Sequence, residues 1–100
     1  METFEWLQQW YQSQTDGNWE HSYGVKIETL DNPGWQLKID LAGTDLWEKD
    51  LDWVMIERSE NDWVGYKIKD MTFYASGGPM NLTEIIGIFR EMVETEQSKQ

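Results

Sequence analysis

The chain has 100 residues, 19 acidic against 8 basic for a net charge of −11, and no cysteine. That length holds a single domain, residues 1–100, and the missing cysteines exclude disulfides, thiolate metal sites and cysteine nucleophiles. The acidic balance argues against direct nucleic-acid binding, which needs a basic patch; by itself it fits plain solubility first and a basic protein partner second.

The first predicted element is a helix near residues 3–14, because Phe4, Leu7, Trp10 and Tyr11 recur at helical spacing and Thr3 can cap it. Trp6 widens the apolar arc. Thr15-Asp16-Gly17-Asn18 ends the helix, and the stretch to Ser22 reads as loop. Two alternating segments follow, Tyr23–Leu30 and Trp35–Leu41, joined by a turn at Asp31-Asn-Pro-Gly34. An odd loop centred on Pro33 pairs Ile27 with Ile39 and Val25 with Leu41, sets Glu28 opposite Lys38 and Lys26 opposite Asp40, and gives Gly34 a positive φ.

Residues 42–50 form a polar connection. A third strand is predicted over 51–58 and a fourth over 62–69, with a three-residue loop that pairs Ile56 with Val64, Val54 with Tyr66 and Arg58 with Asp62. A short fifth strand, 71–75, turns near Asp70 and returns Phe73 beside Ile68. After Ser76-Gly-Gly-Pro79, Asn81 and Glu84 suggest a capping box. Leu82, Ile85, Ile86, Phe89, Met92 and Val93 then mark the clearest helix, ending near Glu94, with a frayed tail at 95–100. The predicted fold is α+β: an antiparallel sheet of about five strands in hairpin order, with an N-terminal and a C-terminal helix covering one face.

No residue set meets the needs of a catalytic or metal site. His21 is the lone histidine, and Ser22 beside it cannot point the same way on a strand. Its ring is expected to hydrogen-bond within its own loop. One histidine and scattered carboxylates give no zinc spacing, and Asp45, Glu48, Asp50 and Asp52 do not follow the calcium-loop pattern. No cofactor is expected. Gly77-Gly78-Pro79 lacks the lysine of a phosphate loop.

The sheet face turned away from the helices carries Trp53, Met55, Trp63, Lys67 and Tyr74 with Lys26, Glu28, Lys38 and Asp40. Two readings stand: an interface with aromatic anchors, or a second small core under a loop carrying Trp19 and Trp47. No apolar run is long enough for a membrane span, and the N-terminus lacks a signal-peptide pattern, so the expected compartment is the cytoplasm, with no membrane contact.

The segments Trp6-Leu-x-x-Trp-Tyr11, Asp16-Gly-x-Trp-Glu-His-x-Tyr-Gly-Val25, Thr29-Leu-Asp-Asn-Pro-Gly-Trp35, Ser59-Glu-Asn-Asp-Trp63 and Gly77-Gly-Pro-x-Asn-Leu82 together resemble the Immunity protein 53 family of bacterial polymorphic toxin systems. The likeness spans nearly the whole chain, and Trp19, Glu20, Pro33, Gly34 and Trp35 match its motifs. It implies a protein that binds and neutralises a cognate toxin, without enzymatic residues. Joined to the acidic charge, it predicts stoichiometric inhibition of a basic toxin such as a nuclease. The partner-binding candidates are Asp16, Trp19, Glu20 and His21 on the first loop, Asp45, Glu48, Asp50 and Asp52 on the connection, and Trp53, Glu57, Glu60, Asp62 and Trp63 on the third and fourth strands. The alternative is a small enzyme or ligand-binding protein built on the Glu20–His21 region.

Overall fold

A computed structural model describes residues 1–99. Helix α1 spans Thr3–Gln14 and a single-turn helix α2 spans Trp19–Ser22. Five strands follow, β1 (Val25–Leu30), β2 (Gly34–Asp40), β3 (Leu51–Ser59), β4 (Asp62–Lys69) and β5 (Thr72–Gly77), and helix α3 (Leu82–Gln97) closes the chain. The sheet is antiparallel, in the order β1-β2-β5-β4-β3. Each hairpin pairs strands adjacent in sequence, and β5 then pairs with β2 to join the first hairpin to the β3–β4–β5 meander.

The two predicted hairpin registers fared differently. In the meander, Ile56 faces Val64, Val54 faces Tyr66 and Phe73 faces Ile68, as the alternation requires. The first hairpin differs by two residues: Val25 faces Ile39, Ile27 faces Leu37 and Lys26 faces Lys38. Its loop is Asp31-Asn-Pro33, centred on Asn32, with a cis bond before Pro33. A two-residue slip keeps every side chain on its face, so the apolar pattern cannot detect it. The predicted Glu28–Lys38 and Lys26–Asp40 pairs are therefore replaced. Gly34 does not take a positive φ; a Cβ there would lie 2.4 Å from the carbonyl oxygen of Gly77 on β5.

Smaller corrections concern the element ends. Glu2, not Thr3, caps α1, its carboxylate accepting from the backbone N–H groups of Phe4 and Glu5. The β3–β4 turn is Glu60-Asn61, and an extra residue on β3 sets Ser59 rather than Arg58 opposite Asp62. Asp70 and Met71 both have positive φ, a two-residue turn that delays β5 to Thr72. Asn81 precedes α3 without a side-chain cap; its Nδ2 donates instead to Asp62 and Glu84. Helix α3 runs to Gln97, so most of the predicted frayed tail is helical or in a turn, and Gln100 lies outside the described residues.

The core lies between one sheet face and the two long helices. Leu37, Ile39, Val64, Ile68, Phe73 and Ala75 meet Ile85, Ile86, Phe89 and Val93 of α3, with Leu7 and Trp10 of α1 completing the layer. Phe89 is fully buried, and the rings of Trp10, Phe73 and Trp6 lie 4.9, 5.1 and 5.9 Å from its own. Such pairs add about 0.5–1.5 kcal/mol each beyond burial. Helix α3 packs on β2, β4 and β5, and α1 packs on α3. A helix is about 10 Å across and strands lie about 4.8 Å apart, so one helix covers the central strands and leaves the outer pair thinly covered. Ile27 on β1 and Ile56 on β3 stay 39% and 40% exposed although their side chains face the helix layer.

Candidate partner-binding surface

The loop that holds the only histidine is a structural clamp. The Asp16 carboxylate accepts from the backbone N–H groups of Asn18 and Trp19, both at 2.9 Å. The Glu20 carboxylate accepts from those of Asp16 and Gly17, whose φ is +91°. For Asp16 the N–H groups of Trp19 and then Asn18 hold the carboxyl below its ordinary pKa; for Glu20 its own N–H and that of Asp16 do the same. The turn delivers Trp19 into the core at 7% exposure, where its Nε1 donates to Ala42 O at 2.7 Å and its ring meets Trp10, Tyr11 and Tyr23. Trp19 therefore fills the end of the helix-side core and does not fold over the outer sheet face. His21 is exposed, and among the described residues its ring makes no hydrogen bond, contrary to the expected loop contact. The Glu20 carboxylate is committed to the turn and not to the His21 ring.

Most of the remaining candidates lie on or next to β3, an edge strand. Asp50 and Asp52 lie at its start, and Asp45 and Glu48 on the connection before it, Asp45 beside Gln14 of α1 and Gln97 of α3. All four acids are exposed because buried Thr44 and Leu46 anchor the connection, Thr44 donating to Leu41 O and accepting from Leu46 N. Glu57 and Glu60 lie toward its far end, roughly 20–30 Å from its first residue by strand rise. Asp62 is there too, but its carboxylate receives two hydrogen bonds from Arg58 and one from Asn81. Arg58 also bridges to Glu84, so the network fastens the β3–β4 hairpin to α3. Arg58 first, then Asn81, holds the Asp62 carboxyl below its ordinary pKa.

Between the two acidic ends, β3 presents Trp53, Met55 and Ile56 at 47%, 49% and 40% exposure. Trp53 and Met55 share the outer face with Trp63, which is half-buried. The Trp53 ring lies over Gly65 on β4. Two register shifts interrupt β3, which spoils it as a template for edge-to-edge pairing. On the helix side of the strand, a cleft of about 480 Å³ lies among Leu46, Leu51, Tyr66, Ile68, Ile88 and Met92, with Lys49 and Glu96 in its lining. Sequence reasoning missed this cleft, because it arises where α3 stops short of β3. Trp47 stands exposed nearby at 53%.

Among the described residues no three His, Cys, Asp or Glu side chains converge as a metal site, and no helix is long and apolar enough to cross a membrane. The sequence model of one family, Immunity protein 53, matches residues 4–94. The chain belongs to that family. Membership makes it an immunity protein, a class whose partner is a cognate toxin. No curated protein and no solved structure matches it. The motif residues that carried the resemblance serve the fold in this structure: Trp19 and Glu20 build the clamp, Gly34 permits close approach of β5, and Trp35 Nε1 donates to Pro79 O at 3.0 Å.

Proposed function

We propose that this immunity protein neutralises its toxin by stoichiometric binding through the β3 edge and the adjoining outer sheet face. The observation that carries the reading is the exposed row of Trp53 and Met55 on an edge strand, with acidic residues at both ends. Large apolar side chains in the open, ringed by charge, have the character of interface anchors. The free carboxylates of Asp45, Glu48, Asp50 and Asp52 at one end, and Glu57 and Glu60 at the other, complement a basic partner and speed its encounter. A nuclease, whose substrate requires a positive cleft, is the toxin class such a surface suits best. Of the first-loop candidates, Asp16, Trp19 and Glu20 support the surface from within the fold, and His21 lies outside it.

Blocking a toxin needs only tight occupation of its surface, so the function requires no catalytic group. The test is titration calorimetry with the toxin encoded beside this gene, joined to growth of cells expressing both. The expected result is a defined stoichiometry, protection, and an affinity that falls as salt rises. Absence of a complex together with absence of protection overturns the reading.

A further inference from the structure

The eight basic residues divide cleanly. Lys49, Arg58, Arg90 and Lys99 each form an ion pair. Lys26, Lys38, Lys67 and Lys69 have no carboxylate within 4.0 Å among the described residues, and all four sit on the outer face of the sheet. Three of them share one row across four strands: Lys26 faces Lys38, Lys38 faces Tyr74, and Tyr74 faces Lys67. The Nζ atoms of Lys38 and Lys67 stand 5.8 and 5.1 Å from the centre of the Tyr74 ring. Trp53 flanks the same side of β4 from its place over Gly65.

This arrangement opposes the fold's own interests. Like charges directly opposite on neighbouring strands destabilise a sheet, and the Lys26–Lys38 pair is such a case. In a chain of net charge −11, an acidic partner for each lysine could be had at little cost. The carboxylates that share the face do not supply it: Glu28 faces Gln36, and Asp40 accepts from Gly24 N at 3.0 Å. The tyrosine ring instead attracts an ammonium group from the strand on each side, which leaves two neighbouring positive charges without a carboxylate among the described residues.

We infer that this lysine–tyrosine row receives an acidic segment of the cognate toxin, with carboxylates paired to the ammonium groups of Lys38 and Lys67 on the strands either side of Tyr74. The inference rests on the binding reading above and deepens it by naming a second, oppositely charged contact. The row spans roughly 14 Å, three strand spacings, which is the reach of two or three acidic side chains on an extended segment. A polyanion such as a nucleic acid or an anionic membrane fits the site less well. Its dense charge would meet the repulsion of the whole acidic molecule, whereas a protein partner can be basic overall and acidic at one segment. Positive row and acidic edge, side by side, also fix the orientation of the partner, since a reversed pose sets like charges together.

The experiment compares the wild-type chain, Lys38→Glu/Lys67→Glu and Lys38→Gln/Lys67→Gln for binding to the toxin encoded beside the gene. Lysine acetylation read by mass spectrometry accompanies it, with and without toxin. The charge reversal should weaken binding at least tenfold. The neutral pair, which removes charge with less risk to the fold, should weaken it by a smaller factor, and melting curves establish that both variants are folded. Lys38 and Lys67 should lose reactivity in the complex while Lys99 keeps it. Wild-type binding with unchanged affinity in both variants, or with Lys38 and Lys67 still reactive, overturns the inference and leaves the binding reading standing. No binding by the wild-type chain overturns both. Protection that grows with concentration of the chain alone identifies a second copy as the occupant, and protection by an oligonucleotide identifies a polyanion; either result overturns the toxin assignment.

Discussion

The Trp53 ring occupies the space above Gly65, on the neighbouring strand, where a Cβ would lie 2.2 Å from Cζ2 and 2.7 Å from Cη2. The glycine thus acts as the seat of the most exposed aromatic on the outer face of β3. Gly65→Ala should lift the ring, which is free to swing outward, and leave the fold intact with a stability change within about 1 kcal/mol. The indole N–H resonance of Trp53 should shift while the melting temperature barely moves. Trp53→Ala should weaken toxin binding by about 2 kcal/mol or more, roughly thirtyfold, as calorimetry would read it. Unchanged affinity would remove Trp53 from the interface.

Trp19 makes the opposite case. It is buried and donates to Ala42 O, so Trp19→Phe should cost about 1–3 kcal/mol of stability through a lost hydrogen bond and a residual void. Denaturant unfolding checks the loss. At a temperature where the variant is folded, its toxin affinity should match the wild type.

Gly34 sits against β5, not in a left-handed turn. Gly34→Ala pushes a methyl group onto the Gly77 carbonyl, which backbone cannot relieve as a side chain could. The expected loss is about 1–3 kcal/mol by chemical denaturation. A stabilising outcome would mean that the two strands separate freely at this end.

Asp62 links stability to pH. Arg58 and Asn81 depress its folded pKa below the reference value of 3.8, so the unfolded chain binds the proton more readily. Its contribution is therefore fully present above that value and is lost as pH falls through the lower, folded pKa. Asp62→Asn should melt below the wild type at neutral pH, and the two melting curves should converge as pH drops under about 4. Glu96, held low chiefly by Lys49, should behave in the same sense.

Much of the fold is legible from local patterns. The spacing of Leu82, Ile85, Ile86, Phe89 and Val93 marks α3, and alternation along β3 and β4 sets Ile56 against Val64, because short loops leave few registers with the apolar residues on one face. The candidate site was legible only in outline. Acidic loops and Trp53 stand out in the chain, but Trp19 has the same signature as an exposed aromatic until its burial is known.

The sequence by itself determined the two long helices, the five strands, the parity of each strand and the family, since these are carried by residues near one another or by their order, while the single-turn helix α2, read as loop, was too short to leave a periodic pattern. Only the tertiary structure decided how the hairpins join. The β2–β5 pairing links residues far apart in the chain, from Asp40 with Thr72 to Trp35 with Gly77, and no local pattern encodes it. The same pairing places Tyr74 beside Lys38, and the two-residue shift of the first hairpin places Lys26 opposite Lys38 rather than Asp40. A shift by two preserves every face, so hydrophobic burial is blind to it at the level of sequence, while the charges it brings together are not.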